Sequence, residues 1–492
     1  MTRSRLLLLA ACLSAVVSAH APAAPPATAA APERAVQAGQ PPATVDPDSP
    51  EAATSPARQA TDAWLAAFNA GDRASLEGYA RRWNPKMDID RQLGFRGDTG
   101  GFVLLRREPA PPGEAHALLR ERDGDTVARA IATITPAGHA RVAVQAIDPP
   151  ADLRVARLSQ RDALDALVAR ADAQAASDAF SGVLLVARGD EVLLQRAWGL
   201  ADRAANTPVS LDTKFRLGSM NKMITAVAVL QLVQQGRLSL DDTVGEALQG
   251  YPNAEVGAAT IRQLLTHSGG TGDIFGPDFD AQRLSLRSHD DYLRLYGARG
   301  TDHAPGAEQR YSNYGFVLLG AIIERSSGQS YYDYVDAHVY GPAGMRDSGS
   351  LPEEVDVPGR AVAYTRRDGA LVDAADTLPW RGTAAGGGYS TAADLLKFAH
   401  ALQDGTLLSP ELLAEATRGQ TPWYGYGFQV REHDGQCVFG HGGGAPGMNG
   451  DLRIYPGLGV VLIGLANRDP RVVDRLVDFY ALRMPLQGAS TD

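Results

Sequence analysis

The sequence predicts an α+β protein with two folded units after an N-terminal leader and linker. Its 492 residues are too many for one ordinary domain. Helical patterns followed by strand patterns fill residues 56–150, whereas residues 151–485 have strand patterns near both ends and mainly helical patterns between them. Strands from both ends can join one antiparallel sheet. We therefore expect a second unit with an antiparallel sheet flanked by helices, a helical lobe, and a pocket between sheet and lobe.

The composition supports two full cores and argues against a nucleic-acid partner. Apolar residues make up 44% of the chain, and the formal net charge is −10. No block of Lys and Arg interrupts this acidic balance, whereas nucleic-acid binding requires a basic patch. We therefore expect no nucleic-acid partner.

Residues 1–21 have the pattern of a secretory leader, with two arginines, an apolar run and then small residues. We expect cleavage near Ala19. The four residues that end at Cys12 offer a second interpretation, because they resemble the lipobox of bacterial lipoproteins, although the apolar run before them is short. The sequence thus predicts an exported protein, periplasmic in a bacterium or secreted, with lipidation at Cys12 as the alternative.

Residues 22–55 contain Ala, Pro and Thr with hardly any large apolar side chain, a composition that predicts a disordered linker. After the leader, no apolar run is long enough to cross a bilayer, so we expect no transmembrane segment there. Once the leader is removed, Cys437 would be the only cysteine left. The exported protein would then have no internal disulfide.

The first unit begins with two helical patterns in residues 57–83. Four short alternating segments separated by turn residues follow and predict an antiparallel meander, at 102–107, 115–123, 126–135 and 140–147. The stretch WLAAFNAGD at 64–72 and this element order resemble the cystatin-like cone fold of the nuclear transport factor two and SnoaL families. These folds include enzymes and binding modules. Since no charged pair here suggests chemistry, we expect the cone domain to bind a protein partner or to act as a scaffold.

Strand patterns mark both ends of the second unit. Residues 181–198 predict a hairpin whose arms, GVLLVAR and EVLLQRAW, meet at Gly189-Asp190. Further strands are predicted at 426–432, 436–439, 452–455 and 459–466. Predicted helices at 151–176 and 469–484 would pack on the sheet that these strands form.

The segment Phe215–Gly236 joins a Ser-x-x-Lys pair, Ser219 and Lys222, to the clearest helical pattern in the chain. We expect Ser219 in the first helical turn, with Lys222 on the same face one turn later. The helix N-terminus and burial both disfavour the ammonium form of the lysine, so the pair can supply a nucleophile and its base. Alone, the pattern is frequent by chance, and a surface lysine is the alternative interpretation.

A second stretch, Tyr311-Ser312-Asn313, precedes an apolar helical pattern. A tyrosine ahead of a helix can point its hydroxyl into a cleft, where a nearby ammonium favours its role as a proton shuttle. Asn313 can donate to a substrate carbonyl. The alternative for Tyr311 is a half-buried aromatic residue with no role in chemistry.

A third stretch is His441-Gly442-Gly443-Gly444, just after a predicted strand. Three glycines let backbone N–H groups approach a substrate closely, as an oxyanion hole requires. The same letters occur in lipase oxyanion loops, but those accompany a Gly-x-Ser-x-Gly elbow, and the nearest match, at 388–392, lacks the last glycine. We interpret Ser390 in that match as a helix cap. A dinucleotide site is rejected because Pro446 interrupts the helix that should follow.

Residues 260–270, TIRQLLTHSGG, predict a short buried helix that ends in a glycine cap. The histidines of the chain show no His-x-His or His-Glu-x-x-His spacing and no cysteine pair accompanies them, so we expect no metal.

Five stretches in family order resemble the serine hydrolases related to class C β-lactamases. They are Ser219-x-x-Lys222, Tyr311-x-Asn313, TIRQLLTHSGG at 260–270, GGGYSTAADLLKF at 386–398 and the HGGG that begins at His441. The resemblance covers residues 178–485. The same superfamily contains low-molecular-weight penicillin-binding proteins, D-amino-acid peptidases and class VIII esterases. It implies a β-lactamase/transpeptidase-like fold that needs no cofactor.

The resemblance also implies an acyl-enzyme mechanism. In it, Ser219 attacks the substrate, Lys222 and Tyr311 move protons, and Asn313 orients the substrate. The N–H groups of Ser219 and Gly444 would form the oxyanion hole.

The sequence departs from the family at one position. Most β-lactamases and carboxypeptidases of this family have Lys-Thr-Gly where this chain has His441-Gly442-Gly443, and that lysine helps to hold a substrate carboxylate. A histidine there resembles the peptidase, esterase and uncharacterised branches. An unperturbed imidazole titrates near pH ~6.5, so an imidazolium at His441 would hold a carboxylate only in mildly acidic conditions. We therefore expect better activity on substrates without a free carboxylate than on penicillins.

The sequence thus predicts a serine hydrolase that cleaves an ester, amide or D-amino-acid peptide bond in a small molecule or peptide. A β-lactamase or a D-Ala-D-Ala carboxypeptidase is the alternative within the same class. A catalytically idle penicillin-binding or peptidoglycan-binding protein is the alternative from another class. The intact set of Ser219, Lys222, Tyr311 and Asn313 favours the enzyme.

Overall fold

The structure, a computed structural model, describes residues 44–367 and 369–486. The chain divides between Ala156 and Arg157 into two compact units. The predicted leader and most of the predicted linker lie outside the described residues. Among the described helices, none is both long enough and apolar enough to cross a bilayer.

The first unit has four helices and then four strands. The helices are Pro50–Thr54 (α1), Pro56–Ala70 (α2), Arg73–Trp83 (α3) and Ile89–Thr99 (α4). The strands are Phe102–Glu108 (β1), Glu114–Glu121 (β2), Val127–Ile134 (β3) and Ala140–Ala146 (β4). They form an antiparallel sheet in the order β1-β2-β3-β4, which confirms the predicted meander.

One face of this sheet packs against α2. The core contains Trp64 and Phe68 from the helix and Phe102 from β1, and the Phe68 and Phe102 rings stack with centroids 5.5 Å apart. Two helices were not predicted. Helix α1 lies within the stretch assigned to the linker, where Ser49 caps it and Pro50 occupies its first turn. Helix α4 is mostly polar, so its apolar periodicity is weak. The resemblance of this unit to the cone fold stays a prediction.

The second unit contains thirteen described α-helices. They are Gln160–Ala176 (α5), Asn221–Gln234 (α6), Val244–Ala247 (α7), Ala254–Gly257 (α8), Ile261–Leu265 (α9), Pro277–Gln282 (α10), His289–Tyr296 (α11), Asn313–Ser327 (α12), Tyr331–Val335 (α13), Gly341–Ala343 (α14), Ala392–Gln403 (α15), Pro410–Ala416 (α16) and Val472–Ala481 (α17).

Twelve described strands accompany these helices. They are Gly182–Arg188 (β5), Glu191–Trp198 (β6), Leu200–Asp202 (β7), Thr207–Pro208 (β8), Phe215–Arg216 (β9), Tyr364–Arg367 (β10), Ala370–Asp373 (β11), Tyr389–Ser390 (β12), Gln429–His433 (β13), Gln436–Ala445 (β14), Met448–Tyr455 (β15) and Val460–Ala466 (β16). Six of them form one antiparallel sheet in the order β13-β14-β15-β16-β5-β6, which joins both ends of the unit as predicted.

The six-stranded sheet is covered on both faces, because successive side chains of a strand point to opposite sides. On β5, Leu184 and Val186 pack with α5 and α17, while Val183 and Leu185 pack into the core of the helical lobe. Strand β16 is buried along its whole length. The sheet is therefore the middle layer between two helical layers.

The predicted bounds of several elements were wrong. Helix α5 begins at Gln160 instead of Ala151, because Ser159 caps its first turn by accepting from the Asp162 amide. Helix α17 begins at Val472, since the Asp469 carboxylate accepts from the Gly447 and Arg366 amides instead of starting the helix.

The helix predicted from Phe215 also begins later than expected. Residues 215 and 216 pair with β12, residues 218–220 form a 3₁₀ turn, and α6 begins only at Asn221. Gly218 has a φ of +53°, a left-handed conformation that a right-handed helix cannot include. Ser219 thus lies in a tight turn just ahead of α6.

Candidate active site

Ser219 occupies the turn that leads into a largely buried helix. Eleven of the fourteen residues of α6 are buried, and this packing fixes the position of the turn. Ser219 itself is partly exposed, whereas Gly218 and Met220 on either side are buried. Its hydroxyl is therefore on a rigid support with one side open to solvent.

Lys222 lies under Ser219 and is 0% exposed. Its Nζ contacts three oxygens: Ser219 Oγ at 3.2 Å, Asn313 Oδ1 at 2.8 Å and the carbonyl of Ala385 at 2.5 Å. The Tyr311 ring centroid is 4.6 Å from the same nitrogen. A surface lysine, the alternative interpretation from the sequence, is thereby excluded.

These three oxygens differ in whether they can donate a hydrogen bond as well as accept one. The amide oxygen of Asn313 and the carbonyl of Ala385 can only accept, so each takes one N–H of the lysine. The hydroxyl of Ser219 can accept or donate. Of these three oxygens, only the Ser219 hydroxyl can therefore donate a proton to a neutral Lys222 amine.

Asn313 begins α12, after Ser312, whose hydroxyl accepts from the Gly315 amide as the cap. The Asn313 Nδ2 donates to Asp273 Oδ1 at 2.9 Å. Because a carboxylate accepts and cannot donate, this contact fixes the orientation of the amide, with Oδ1 toward Lys222. Asp273 belongs to a loop that has no recognisable functional motif.

The ring of Tyr311 packs against the ring of His267. Their ring centroids are 4.3 Å apart, and His267 Nδ1 accepts from the Ser312 amide at 3.2 Å. Burial and the nearby positive charge of Lys222 lower the pKa of His267 well below its usual value, so the ring is neutral.

The predicted glycine cap after α9 was wrong, because the left-handed residue at this helix end is His267, with a φ of +58°. That conformation is costly for a residue with a side chain. It directs the chain so that the His267 ring lies against Tyr311.

His441 is 2% exposed and lies on β14. Its Nδ1 lies 2.5 Å from the Gly442 carbonyl, which only accepts, so this nitrogen carries the proton. Its Nε2 then accepts from the Tyr424 hydroxyl at 2.8 Å. Burial and, secondly, Lys222 lower the pKa of His441 to about 3.

The idea that an imidazolium at His441 holds a carboxylate in mildly acidic conditions was therefore wrong. The ring is buried and both nitrogens have protein partners, so burial disfavours its charged form. With its pKa lowered to about 3, His441 is neutral in mildly acidic and neutral conditions.

Strand β14 passes directly beside the Ser219 turn, and its glycines make this approach possible. A Cβ added at Gly443 would lie 2.0 Å from the Leu217 carbonyl, and one added at Gly218 would lie 3.0 Å from the Gly444 nitrogen. Strand β13 pairs with β14 only as far as Gly440. Beyond that point, the edge of β14 lies beside the turn that contains Ser219.

Ser390, the serine of the incomplete elbow, is not the helix cap that we predicted. Thr391 caps α15, and Ser390 is fully buried in β12, where its hydroxyl contacts Ser348 Oγ at 2.7 Å. A buried hydroxyl with this partner cannot meet a substrate.

All the predicted site residues lie together at the seam between the sheet and the helical lobe. The sequence interpretation missed four residues that surround them: His267, Asp273, Ala385 and Tyr424. His267 and Ala385 fall in or beside stretches that had been noted for their resemblance, whereas Asp273 and Tyr424 gave no local signal. Among residues 44–367 and 369–486, no group of three His, Cys, Asp or Glu side chains is placed to hold a metal ion.

Comparison with known proteins agrees with this architecture. The chain is 37% identical over 270 residues to "Esterase EstB" of Burkholderia gladioli, an alignment that covers 48% of this chain and 69% of the relative. Among solved structures, it resembles a penicillin-binding protein from Bacillus halodurans with a TM-score of 0.57 and 30% identity, covering 63% of this chain and 99% of the other. A D-stereospecific amidohydrolase from Streptomyces sp. gives a TM-score of 0.54 and 28% identity, covering 63% and 96%.

The family model described as Beta-lactamase matches residues 147–484, which is more than half of the chain and includes every predicted site residue. The protein thus belongs to the beta-lactamase family and is a serine hydrolase related to the β-lactamases.

Proposed function

We propose that the protein is an exported hydrolase that forms an acyl-enzyme through Ser219 and cleaves an ester, amide or D-amino-acid peptide bond. One observation carries the proposal: Lys222 Nζ is buried, lies 3.2 Å from Ser219 Oγ, and also contacts the Asn313 amide oxygen and the Ala385 carbonyl, two oxygens that only accept. This geometry suits proton removal from a serine nucleophile.

In acylation, Ser219 Oγ forms a bond to the substrate carbonyl carbon while its proton passes to Lys222 Nζ. The carbonyl oxygen becomes an oxyanion. When this tetrahedral intermediate collapses, the bond to the leaving oxygen or nitrogen breaks. The leaving group takes the proton from Lys222, with the Tyr311 hydroxyl as the carrier.

In deacylation, water attacks the acyl carbon and gives its proton to the same two residues. The Ser219–acyl bond then breaks, and Ser219 Oγ recovers a proton. The net reaction consumes one water and yields an acid with an alcohol or amine, so no cofactor is required.

The developing oxyanion would be held by the N–H groups of Ser219 and Gly444. The close approach of β14 to the Ser219 turn supports this pairing, because the Gly444 nitrogen lies beside Gly218. Asn313 would contact the substrate amide or ester while it also holds Lys222.

The neutrality of His441 favours substrates without a carboxylate. A lysine at this position would offer a charge, whereas His441 is buried and bonded to Tyr424. Similarity to an esterase and to a D-stereospecific amidohydrolase points in the same direction. We therefore expect p-nitrophenyl esters and amino-acid amides to be better substrates than penicillins.

The test is a hydrolysis panel of p-nitrophenyl esters, D-amino-acid amides and nitrocefin. Mass spectrometry should then locate a fluorophosphonate adduct on Ser219. Labelling without turnover of any panel member would instead support the idle binding protein. Export is tested separately, by sequencing the N-terminus of the mature protein from a producing cell.

A pH prediction follows from the lowered pKa of His441. We expect the ratio of kcat/KM for nitrocefin to that for a neutral ester to stay constant within about twofold between about pH 5 and about pH 8. Burial and, secondly, Lys222 lower the pKa of His441 to about 3, so the imidazole stays neutral throughout this range. If the ester alone is hydrolysed, nitrocefin is assayed as a competitive inhibitor.

His441→Gln serves as the matched variant, because glutamine is uncharged at all pH values and can still hydrogen-bond. For this variant, the ratio of kcat/KM for nitrocefin to that for the ester should also be independent of pH. A ratio in the native protein that rises roughly tenfold as pH falls through ~6.5, and that is flat only in the variant, would contradict a neutral His441.

A second prediction concerns the first unit. Every proposed catalytic residue lies in the second unit, which has its own hydrophobic cores. A chain shortened to begin at Ala151 should therefore fold and retain kcat/KM on a neutral ester within about threefold. Circular dichroism checks the fold. A folded but inactive product would show that residues 56–150 shape the site.

A further inference from the structure

Asn449 lies on β15, opposite Gly444 of β14, and is 2% exposed. Its side chain makes three hydrogen bonds. The Nδ2 donates to the Gly443 carbonyl at 3.0 Å and to Asp474 Oδ2 at 2.9 Å, while Oδ1 accepts from the Val473 amide at 2.7 Å. None of the features assigned to catalysis so far explains why a buried amide contacts the backbone at this point.

The contact with the Gly443 carbonyl matters because of the peptide that contains it. That carbonyl and the N–H of Gly444 belong to the same planar unit, and in a trans peptide they point in opposite directions. A donor that fixes the carbonyl on the β15 side therefore directs the Gly444 N–H to the other side. The Gly444 nitrogen indeed lies beside Gly218, next to Ser219.

We propose that Asn449 is a positioning residue that orients the Gly443–Gly444 peptide so that its N–H meets the oxyanion formed at Ser219. This inference rests on the proposed acyl-enzyme function. Pairing of β14 with β15 already restrains this peptide, and Asn449 adds a side-chain donor to its carbonyl oxygen.

The terminal helix α17 holds Asn449 in turn. The Val473 amide is in the first turn of α17, where N–H groups lack partners within the helix, and no side chain of the helix itself caps them. Asn449 Oδ1 accepts from one of these groups, and Asp474 in the same turn accepts from Nδ2. With both ends of the amide engaged, the side chain cannot flip. The last helix of the chain thereby sets the geometry of the oxyanion site.

Two substitutions test the proposal on the full chain. Asn449→Ala removes all three bonds. Asn449→Ser loses the amide donor to Gly443, keeps a small polar side chain and adds no carboxylate beside Asp474, and it covers the case in which the alanine variant folds poorly. Loss of one oxyanion donor typically costs about 10²–10³ in kcat, so a misdirected donor should cost about 10- to 100-fold in both variants. KM on a neutral ester should change by less than about threefold, because the donor acts on the transition state.

The matched control is Asn467→Ala. Asn467 is also a buried asparagine of this unit, and its amide donates to the backbone carbonyls of Leu200, Ala201 and Val362, away from Ser219. It should lower Tm about as much as Asn449→Ala and leave kcat within about twofold of the native value, since both lose comparable buried hydrogen bonds.

The affinity for an arylboronic acid, which forms a tetrahedral adduct with the serine, should fall in the Asn449 variants by the same factor as kcat. Equal Tm losses with an unchanged kcat and boronate affinity would show that Asn449 is only structural and would overturn the proposal. Failure of the acyl-enzyme function would look different, because the native protein itself would then show neither hydrolysis nor an adduct on Ser219.

Discussion

Replacement of Ser219 by alanine should lower kcat on a neutral ester by about 10⁴-fold or more, the scale of loss seen when a covalent nucleophile is removed. The change deletes one hydroxyl whose described partner is Lys222 Nζ at 3.2 Å. The turn that holds Ser219 is defined by Gly218 and by the packing of α6, neither of which the substitution alters. We therefore expect a folded protein without turnover.

The measurement is steady-state kinetics together with thermal unfolding of the variant. Ser177→Ala is the control, because Ser177 is exposed at the end of α5 and its hydroxyl donates to the nearby Gln174 carbonyl, far along the sequence from Ser219. It should leave kcat unchanged. If the Ser219 variant kept a tenth of the native rate, or if a fluorophosphonate still labelled it, another residue would be the nucleophile.

Much of the second unit follows from apolar periodicity alone. Strands β5 and β16 are continuous apolar runs because helices cover both faces of the sheet, and α6 is apolar all round because it is buried. A continuous apolar run indicates a buried element without any knowledge of the residues that pack against it. The two ends of the unit could be assigned to one sheet for this reason.

The local structure could not be predicted from the sequence at positions where a single backbone angle decides it. Gly218 interrupts the expected helix by adopting a left-handed φ, and His267 adopts one even though a glycine lies two residues further on. A glycine permits this conformation without requiring it, and a histidine rarely adopts it. Such choices depend on packing between distant segments, which local patterns do not contain.

The charge of His441 could not be predicted for a related reason. The neighbouring glycines indicate a close backbone approach, but the pKa is set by burial, by Lys222 and by the bond to Tyr424. Tyr424 is separated by 17 positions in the sequence. Asp273 and Asn313 are likewise 40 positions apart, so neither reveals that the carboxylate orients the amide.

Replacement of Lys222 by alanine should be nearly as severe, with a loss of about 10³-fold or more in kcat, because no base then faces the Ser219 hydroxyl. Lys222→Arg should not restore the rate, since a guanidinium stays protonated and cannot accept the serine proton. Lys86→Ala, at an exposed lysine of the first unit, is the control and should leave kcat unchanged.

The alanine variant should also lose some stability. It leaves the Asn313 amide oxygen and the Ala385 carbonyl, both buried, without their donor, and unsatisfied buried groups cost about 1–3 kcal/mol each. Misfolded molecules would also lower the measured rate. The value of kcat must therefore be calculated per mole of folded protein.

The double variant Ser219→Ala with Lys222→Ala separates a shared role from two independent ones. If Lys222 acts by taking the proton of Ser219, it has nothing to activate once the hydroxyl is gone, and the double variant should be no slower than Ser219→Ala alone. If the two losses multiplied, Lys222 would contribute through another contact, such as the orientation of Asn313. A single Lys222→Ala variant that kept more than about a tenth of the native kcat would exclude the lysine as the base, because general-base catalysis by a positioned side chain contributes about 10²–10⁴-fold.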